Sequence, residues 1–236
     1  MGPTRFSKGS NHRKVARMTD HTATQAPPLK AAELAAYMAA RMCHDFISPA
    51  SAIVSGLDLL EDPTEQDMRE DAMELIAASA RKLSDLLLFT RVAFGASASA
   101  ETFDARELEK LAQGVFAHMR AELDWQVEVP AVNKPTARTL LNLAQMAGAA
   151  LPTGGVAQVR AVQEGAQIAI AVEARGPRAR IRAEVLAGLH GEGPGDGLHG
   201  HWVQARYVNL FVGDAGGRVF AEAGEELVTF AATLPA

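Results

Sequence analysis

Two long amphipathic segments divided by a single proline constrain the fold more than any other feature of this chain. In residues 30–62 apolar side chains recur at alternating steps of four and three, at Phe46, Ala50, Ile53, Leu57 and Leu60. This spacing predicts one helix with an apolar seam for a helical partner. Asp62-Pro63 predicts the end of that helix, because proline disfavours a helical conformation in the residue before it.

A second helix is expected after a short turn, with Thr64 as its N-cap and an end near Phe94. Helices joined by so short a turn must be antiparallel neighbours. Two such helices cannot bury both apolar stripes by themselves, whereas two hairpins can bury them in a four-helix bundle. The sequence therefore predicts that residues 29–95 form a helical hairpin that dimerises with a second copy of the chain.

The composition narrows the class of protein. The chain has 236 residues, 48% of them hydrophobic, which suits one or two domains with a real core. A net charge of −5 gives no reason to expect a nucleic-acid partner, and no apolar stretch is long enough to cross a membrane. Cys43 is the one cysteine and cannot form an internal disulfide, which predicts a cytoplasmic location. Residues 1–28 are expected to be a disordered basic tail.

The pattern changes after a linker of small residues at 95–100. Helices are expected at about 104–122, 134–149, 182–189 and 202–212, and strands at about 125–129, 156–162, 167–173, 218–223 and 226–232. This order predicts that residues 101–236 form a two-layer α/β sandwich, with helices on one face of a mixed sheet. The whole chain is then of the α+β class.

His44 is the candidate reactive residue of the hairpin. It lies two residues before Phe46, about 200° around a helix, so it should point away from the apolar seam. Asp45 follows it and could orient the imidazole ring. The candidates for contact with a partner protein around it are Arg41, Ile47, Ser48, Ser51, Ala52 and Ser55 on the first helix, and Arg81, Lys82 and Asp85 opposite on the second.

The hairpin, linker and sandwich resemble the dimerisation and ATP-binding domains of sensor histidine kinases. The run from His44 to Pro49 resembles the kinase H-box, in which a histidine is followed by an acidic residue, an apolar residue, two variable residues and a proline. The resemblance implies that His44 accepts a phosphoryl group. It covers about residues 30–236.

The chain departs from the kinase pattern at the ATP-site motifs. In the family's N-box frame Met146 replaces the asparagine that would coordinate Mg²⁺, and a thioether is a poor ligand for a hard cation. Ala174 stands at the adenine-binding aspartate, and Arg178 stands at a glycine of the same motif. Trp202 and Gln204 occupy the positions of glycines that would approach the phosphates. These departures predict a degenerate domain without an ATP site or a cofactor of its own.

A kinase-like hairpin with a phosphoacceptor but no nucleotide site is similar to the dimeric histidine phosphotransferases, and most of all to the alphaproteobacterial ChpT family. That resemblance implies that His44 receives phosphate from the receiver domain of a hybrid kinase like CckA. The acceptors would be response regulators like CtrA and CpdR. The receiver would bring the Mg²⁺.

Two alternatives remain open from the sequence. The chain could be an ATP-dependent histidine kinase with a divergent pocket, or a pseudokinase scaffold that binds receivers without transferring phosphate. His118 is interpreted as structural. His199-Gly200-His201 supplies two potential metal ligands without a third nearby, so no metal site is predicted.

Overall fold

The computed structural model describes residues 30–62, 66–95, 101–195 and 199–236. Its first part is a helical hairpin of α1 (Ala31–Glu61) and α2 (Arg69–Ala93), with a 3-10 turn (Gln66–Met68) before α2. The two predicted helices are confirmed. The predicted tail at 1–28, the N-cap at Thr64 and most of the linker lie outside the described residues. Met68 precedes α2 and provides no side-chain cap.

The face that α1 turns toward α2 differs from the predicted seam. Pro49 and Gly56 are the buried residues of α1, and a Cβ on Gly56 would meet Ile76 Cγ1 at 2.6 Å. Leu57, which was assigned to the seam, is 46% exposed in the single chain. The seam was predicted for a helical partner, so the burial of Leu57 against a second hairpin stays a prediction.

The second part contains four helices and seven strands in the described residues. The helices are α3 (Ala105–Phe116), α4 (Lys134–Ala149), α5 (Ala183–Leu189) and α6 (His199–Asp214). The strands are β1 (Thr102–Asp104), β2 (Ala121–Val127), β3 (Ala131–Asn133), β4 (Gly155–Glu164), β5 (Gln167–Arg175), β6 (Arg218–Gly224) and β7 (Leu227–Pro235).

Five of the strands form a mixed sheet in the order β2-β4-β5-β7-β6. The β2–β4 pair is parallel, and the other pairs are antiparallel. Buried residues alternate along β5 and β7, as expected when one face of a sheet packs on a core. The predicted α+β class and mixed sheet are confirmed. The short β1–β3 pair was not predicted.

Two predicted boundaries near residue 120 were wrong. Asp104 caps α3 as expected, since its side chain accepts hydrogen bonds from the backbone N–H groups of Arg106 and Glu107. However, α3 ends at Phe116, and β2 begins at Ala121 rather than at residue 125. The prediction extended the helix over residues that belong to the first half of the strand.

The hairpin packs directly on the second part. Phe89 and Ala93 of α2 are fully or almost fully buried and belong to the same apolar core as Leu108 and Leu140. At the same open end of the hairpin, on α1, the Tyr37 ring meets Trp202 of α6 edge-on, with ring centroids 6.2 Å apart. This joint brings the middle of α1 close to the sandwich.

In the part of the chain that the structure describes, no helix combines the length and the apolar character needed to cross a bilayer.

Candidate functional site

The His44 imidazole is highly exposed. Its side chain is 87% exposed, as the helical phase predicts, and its Nδ1 lies 3.4 Å from Asp45 Oδ1. When Nδ1 carries the ring proton, it donates a hydrogen bond to Asp45. Nε2 then keeps its lone pair and faces solvent. A long hydrogen bond of this kind orients the ring without fixing it. An incoming electrophile can therefore reach the reactive nitrogen.

Arg41 is not the free surface cation that its position suggested. Its side chain is only 13% exposed, and its Nη1 donates to the backbone carbonyl of Gly200 at the start of α6. Its Nε lies 3.7 Å from Asp45 Oδ2. Burial lowers the pKa of the guanidinium, and the Asp45 carboxylate opposes that change. Arg41 thus ties α1 to α6 and holds Asp45 beside His44.

The candidates on α2 have different surroundings. Lys82 lines a cleft together with His44, in agreement with the predicted hairpin register, while Arg81 is exposed and does not line it. Asp85 is engaged within the molecule, because its Oδ2 lies 2.9 Å from His118 Nε2 at the end of α3. The structural interpretation of His118 agrees with this pairing, which joins the hairpin to the sandwich.

The remaining α1 candidates follow His44 along the helix. Ile47 is 63% exposed, and Ser51 and Ser55 are also exposed. Ser48 lines the cleft, and Ala52 is half-buried. Apart from Ile47, these α1 candidates have small side chains.

A cleft of about 310 Å³ lies between the hairpin and the sandwich, with His44 among its lining residues. Basic and imidazole groups from three helices and two loops converge on it: Arg41, Lys82, His118, Arg180, Arg182 and His201. His201 was considered only as a metal ligand in the sequence. Burial, followed by the charges of Arg182 and Arg41, lowers its pKa, while Glu184 and Asp45 act in the opposite direction.

The positions of the degenerate motifs are occupied by side chains of the core or surface. Met146 is 5% exposed and lies in the cleft wall, and Ala174 is fully buried on β5 between Ala157 and Val228 of the neighbouring strands. Arg178 has φ 62°, a conformation that glycine adopts more readily, which suits its match to a glycine of the motif.

Trp202 and Gln204 fill the start of α6 with side chains in place of glycine. Trp202 is 1% exposed, and its Nε1 donates to the Glu192 carbonyl. Gln204 Nε2 donates to Asn142 Oδ1 at 3.0 Å and to Gln145 Oε1 at 2.7 Å, both on α4. These buried hydrogen bonds join α4 to α6 where the family pattern would have backbone glycines. Within the described ranges, no three His, Cys, Asp or Glu residues are grouped so as to hold a metal ion.

A family model, a curated protein and a solved structure similar to this chain are all phosphotransferases. The family model for the histidine phosphotransferase C-terminal domain matches residues 105–227. The protein phosphotransferase ChpT of Brucella abortus (strain 2308) is 34% identical over 205 residues, which cover 86% of this chain and 97% of that protein. A solved structure of a bacterial phosphotransferase is 33% identical with a TM-score of 0.77, covering 86% of this chain and 97% of the other. A solved structure of the catalytic domain of histidine kinase ThkA is 19% identical with a TM-score of 0.43, covering 57% of this chain and 93% of the other.

Proposed function

The chain belongs to the histidine phosphotransferase family, and we propose that within a phosphorelay it carries phosphoryl groups from one receiver aspartate to another on His44. The observation that supports this role best is an imidazole 87% exposed beside Asp45, on the helix that carries the H-box-like sequence. A neutral imidazole nitrogen with a free lone pair is the nucleophile that attack on a phosphoryl group requires.

In the proposed reaction, His44 Nε2 attacks the phosphorus of an aspartyl phosphate on a docked receiver. The new N–P bond forms as the P–O bond to the aspartate breaks, and the freed carboxylate is the leaving group. Asp45 accepts the hydrogen bond of Nδ1–H and stabilises the positive charge that develops on the ring. The reverse reaction with the aspartate of a second receiver regenerates the free imidazole. Mg²⁺ is expected to come with the receiver.

We also propose that the sandwich does not use ATP. Met146 offers Mg²⁺ a thioether in place of an amide oxygen, and Ala174 offers adenine no carboxylate. The hydrogen bonds of Gln204 to Asn142 and Gln145 use groups that would otherwise be available to a ligand. These features favour a relay protein over the alternative of a histidine kinase with a divergent pocket.

The proposed partners follow from the family resemblance. The donor is the receiver of a CckA-like hybrid kinase, and the acceptors are CtrA-like and CpdR-like response regulators. Such receivers are expected to contact Ile47, Ser48 and Ser51 around His44. The homodimer and the cytoplasmic location are further parts of the proposal, supported by the exposed apolar face of the hairpin and by the single cysteine.

A transfer assay tests the function directly. A hybrid-kinase receiver carrying ³²P-labelled aspartyl phosphate is mixed with the purified chain, and acid-labile label on the chain is measured before and after a response regulator is added. His44→Gln should reduce labelling to background. His190→Gln, at an exposed histidine outside the cleft, is the matched control and should transfer normally.

Three results would contradict the proposal in different ways. Label on the His44→Gln variant would place the acceptor elsewhere. Label taken from γ-³²P-ATP without any donor would favour the kinase. Stable receiver binding without any label on the unmodified chain would favour the pseudokinase scaffold.

A further inference from the structure

The cleft beside His44 concentrates positive charge in an acidic protein. Four of its lining residues carry a guanidinium or an ammonium group, namely Arg41, Lys82, Arg180 and Arg182. Asp45 is the one carboxylate among the described residues that line it, although the chain as a whole has a net charge of −5. A recess with this balance favours an anion over a neutral or cationic ligand.

Three of these cations are available to a ligand. Arg41 is engaged with Asp45 and with the Gly200 carbonyl. By contrast, the side chains of Lys82, Arg180 and Arg182 make no hydrogen bond or ion pair with any residue that the structure describes. Arg180 and Arg182 are separated by one residue in the segment before α5, while Lys82 belongs to the hairpin. The cations therefore come from both sides of the cleft.

The interior of the cleft is apolar. Phe230, which is fully buried, and Met146, which is 5% exposed, contribute to its lining together with Met119 and Ile181. A protein partner with an acidic surface would meet the cations at the rim, but its surface would leave these apolar walls without contact. A small molecule with an apolar body can contact the walls and the cations at the same time.

We propose that this cleft binds a small organic anion that joins a flat apolar body to a phosphate or carboxylate group. The apolar body lies against Met119, Met146 and Phe230, and the anionic group pairs with Arg180, Arg182 and Lys82. A volume of about 310 Å³ lies at the lower end of the range for ligand pockets, so the ligand is smaller than a nucleoside triphosphate.

The position of His44 gives the bound anion a regulatory effect, which rests on the function proposed above. His44 lines the same cleft, so an anion held there repels an approaching aspartyl phosphate and occupies part of its route. The ligand should therefore slow phosphoryl uptake without affecting the fold. The lowered pKa of His201 favours its neutral form, so the arginines and Lys82 carry the positive charge of the site.

Binding can be measured without any transfer reaction. With ¹³C-methyl methionine labels, Met119 and Met146 report on the cleft, and the exposed Met73 of α2 is an internal control. Phenyl phosphate is the probe, and phenol and inorganic phosphate represent its two halves. Phenyl phosphate should shift Met119 and Met146 saturably with a dissociation constant on the order of a millimolar or tighter, and leave Met73 unchanged. Each half should bind at least about tenfold more weakly.

Two variants test the assignment within the cleft. The double variant Arg180→Gln/Arg182→Gln should weaken phenyl phosphate binding at least about tenfold. It should leave phenol binding unchanged, because only the charged contact is lost. Ala149→Phe should block the binding of both, since Ala149 is an exposed residue of α4 that lines the cleft. Arg175→Gln is the control, because Arg175 pairs with Glu173 and does not line the cleft.

The ligand site and the proposed transfer function can be refuted independently of each other. Equal shifts at Met73, or no saturable shift at Met119 and Met146, would overturn the ligand site whether or not His44 transfers phosphate. The site would also be overturned if the double arginine variant weakened receiver binding while phenyl phosphate bound as before. Saturable binding in a chain that transfers no phosphate would leave the ligand site intact and refute the proposed function.

Discussion

His201 occupies an unusual electrostatic position for a histidine. It is half-buried near two guanidinium groups, those of Arg182 and Arg41, and burial together with these charges lowers its pKa. Glu184 and Asp45 reduce the effect without cancelling it. Protonation of this ring in the folded protein therefore occurs only below the usual value near pH 6.5.

This shift predicts a pH dependence of stability. As the pH falls through about 6.5, the unfolded chain takes up a proton at residue 201 that the folded chain does not, so stability declines. His201→Gln removes this contribution and should flatten the decline between pH 7 and pH 5. Urea unfolding of both proteins at the two pH values measures it. Equal losses in the two proteins would contradict the inferred shift, because the other histidines are common to both.

The buried hydrogen bonds of Gln204 lead to a second prediction at the residue scale. Its side-chain amide supplies both buried acceptors, Asn142 Oδ1 and Gln145 Oε1, with a donor. Gln204→Leu keeps the size but leaves these oxygens unsatisfied, which should cost about 2 kcal/mol or more of unfolding free energy. Gln113→Leu, at an exposed glutamine on α3, is the control and should change stability by less than about 0.5 kcal/mol. Chemical denaturation compares them, and equal effects would exclude an important role for the network.

At the scale of single residues, the sequence predicted what depends on local geometry. His44 is exposed because helical phase alone determines its direction. The bonding of Asp85 to His118 and the contact of Arg41 with Gly200 could not be predicted, since each joins segments 33 or 159 residues apart in the chain. Such contacts depend on how the hairpin docks on the sandwich.

At the scale of the elements, Gly56 determines how closely α1 and α2 approach. Gly56 is buried, and a Cβ there would lie 2.6 Å from Ile76 Cγ1 and 3.1 Å from the Ala72 carbonyl oxygen. Alanine normally stabilises a helix interior by about 1 kcal/mol relative to glycine. Here the two helices would have to separate, and overpacking of this kind costs about 1–3 kcal/mol.

Gly56→Ala is therefore predicted to lower the unfolding free energy by about 1 kcal/mol, despite the better helix propensity. Gly213→Ala is the matched control within α6, because a Cβ at Gly213 meets nothing within 4 Å. It should raise stability by a few tenths of a kcal/mol. Thermal and urea unfolding of the two variants give the signs. A stabilised Gly56→Ala protein would show that the helices are not in close contact.

The elements themselves were largely predictable, and their ends were not. Capping by Asp104 fixed the start of α3, because a side-chain acceptor at that position is a local signal. The end of α3 carries no such signal in the sequence. The short β1–β3 pair was missed because strands of three residues show too little alternation to recognise.

At the scale of the whole molecule, the hairpin and the sandwich share one core. Phe89 and Ala93 of α2 pack with the residues of α3 and α4, and the cleft beside His44 exists only because the two parts are docked. Its lining comes from all six helices, from β7 and from the loops after α3 and before α5. Periodicity predicts each of these elements separately, but it contains no information on which side chains meet at a joint.

The docked hairpin still exposes an apolar face. Large apolar side chains on α1 and α2, apart from Ile47 beside His44, are 39–56% exposed: Val54, Leu57, Met73, Leu75, Leu87 and Leu88. Their burial would be favourable at about 25 cal/mol per Å², and a second hairpin offers an apolar face of the same kind. This is the physical basis of the proposed homodimer.

Light scattering during size exclusion should accordingly give about twice the chain mass of 25.0 kDa. Val54→Glu combined with Leu87→Glu should shift the protein to monomer, because a charged carboxylate cannot be buried there without a partner. Phe220→Glu is the control, since Phe220 is 57% exposed on β6, away from the hairpin, and should leave the dimer intact. A monomeric unmodified chain, or a dimer unaffected by the two glutamates, would contradict the proposed dimer through this face.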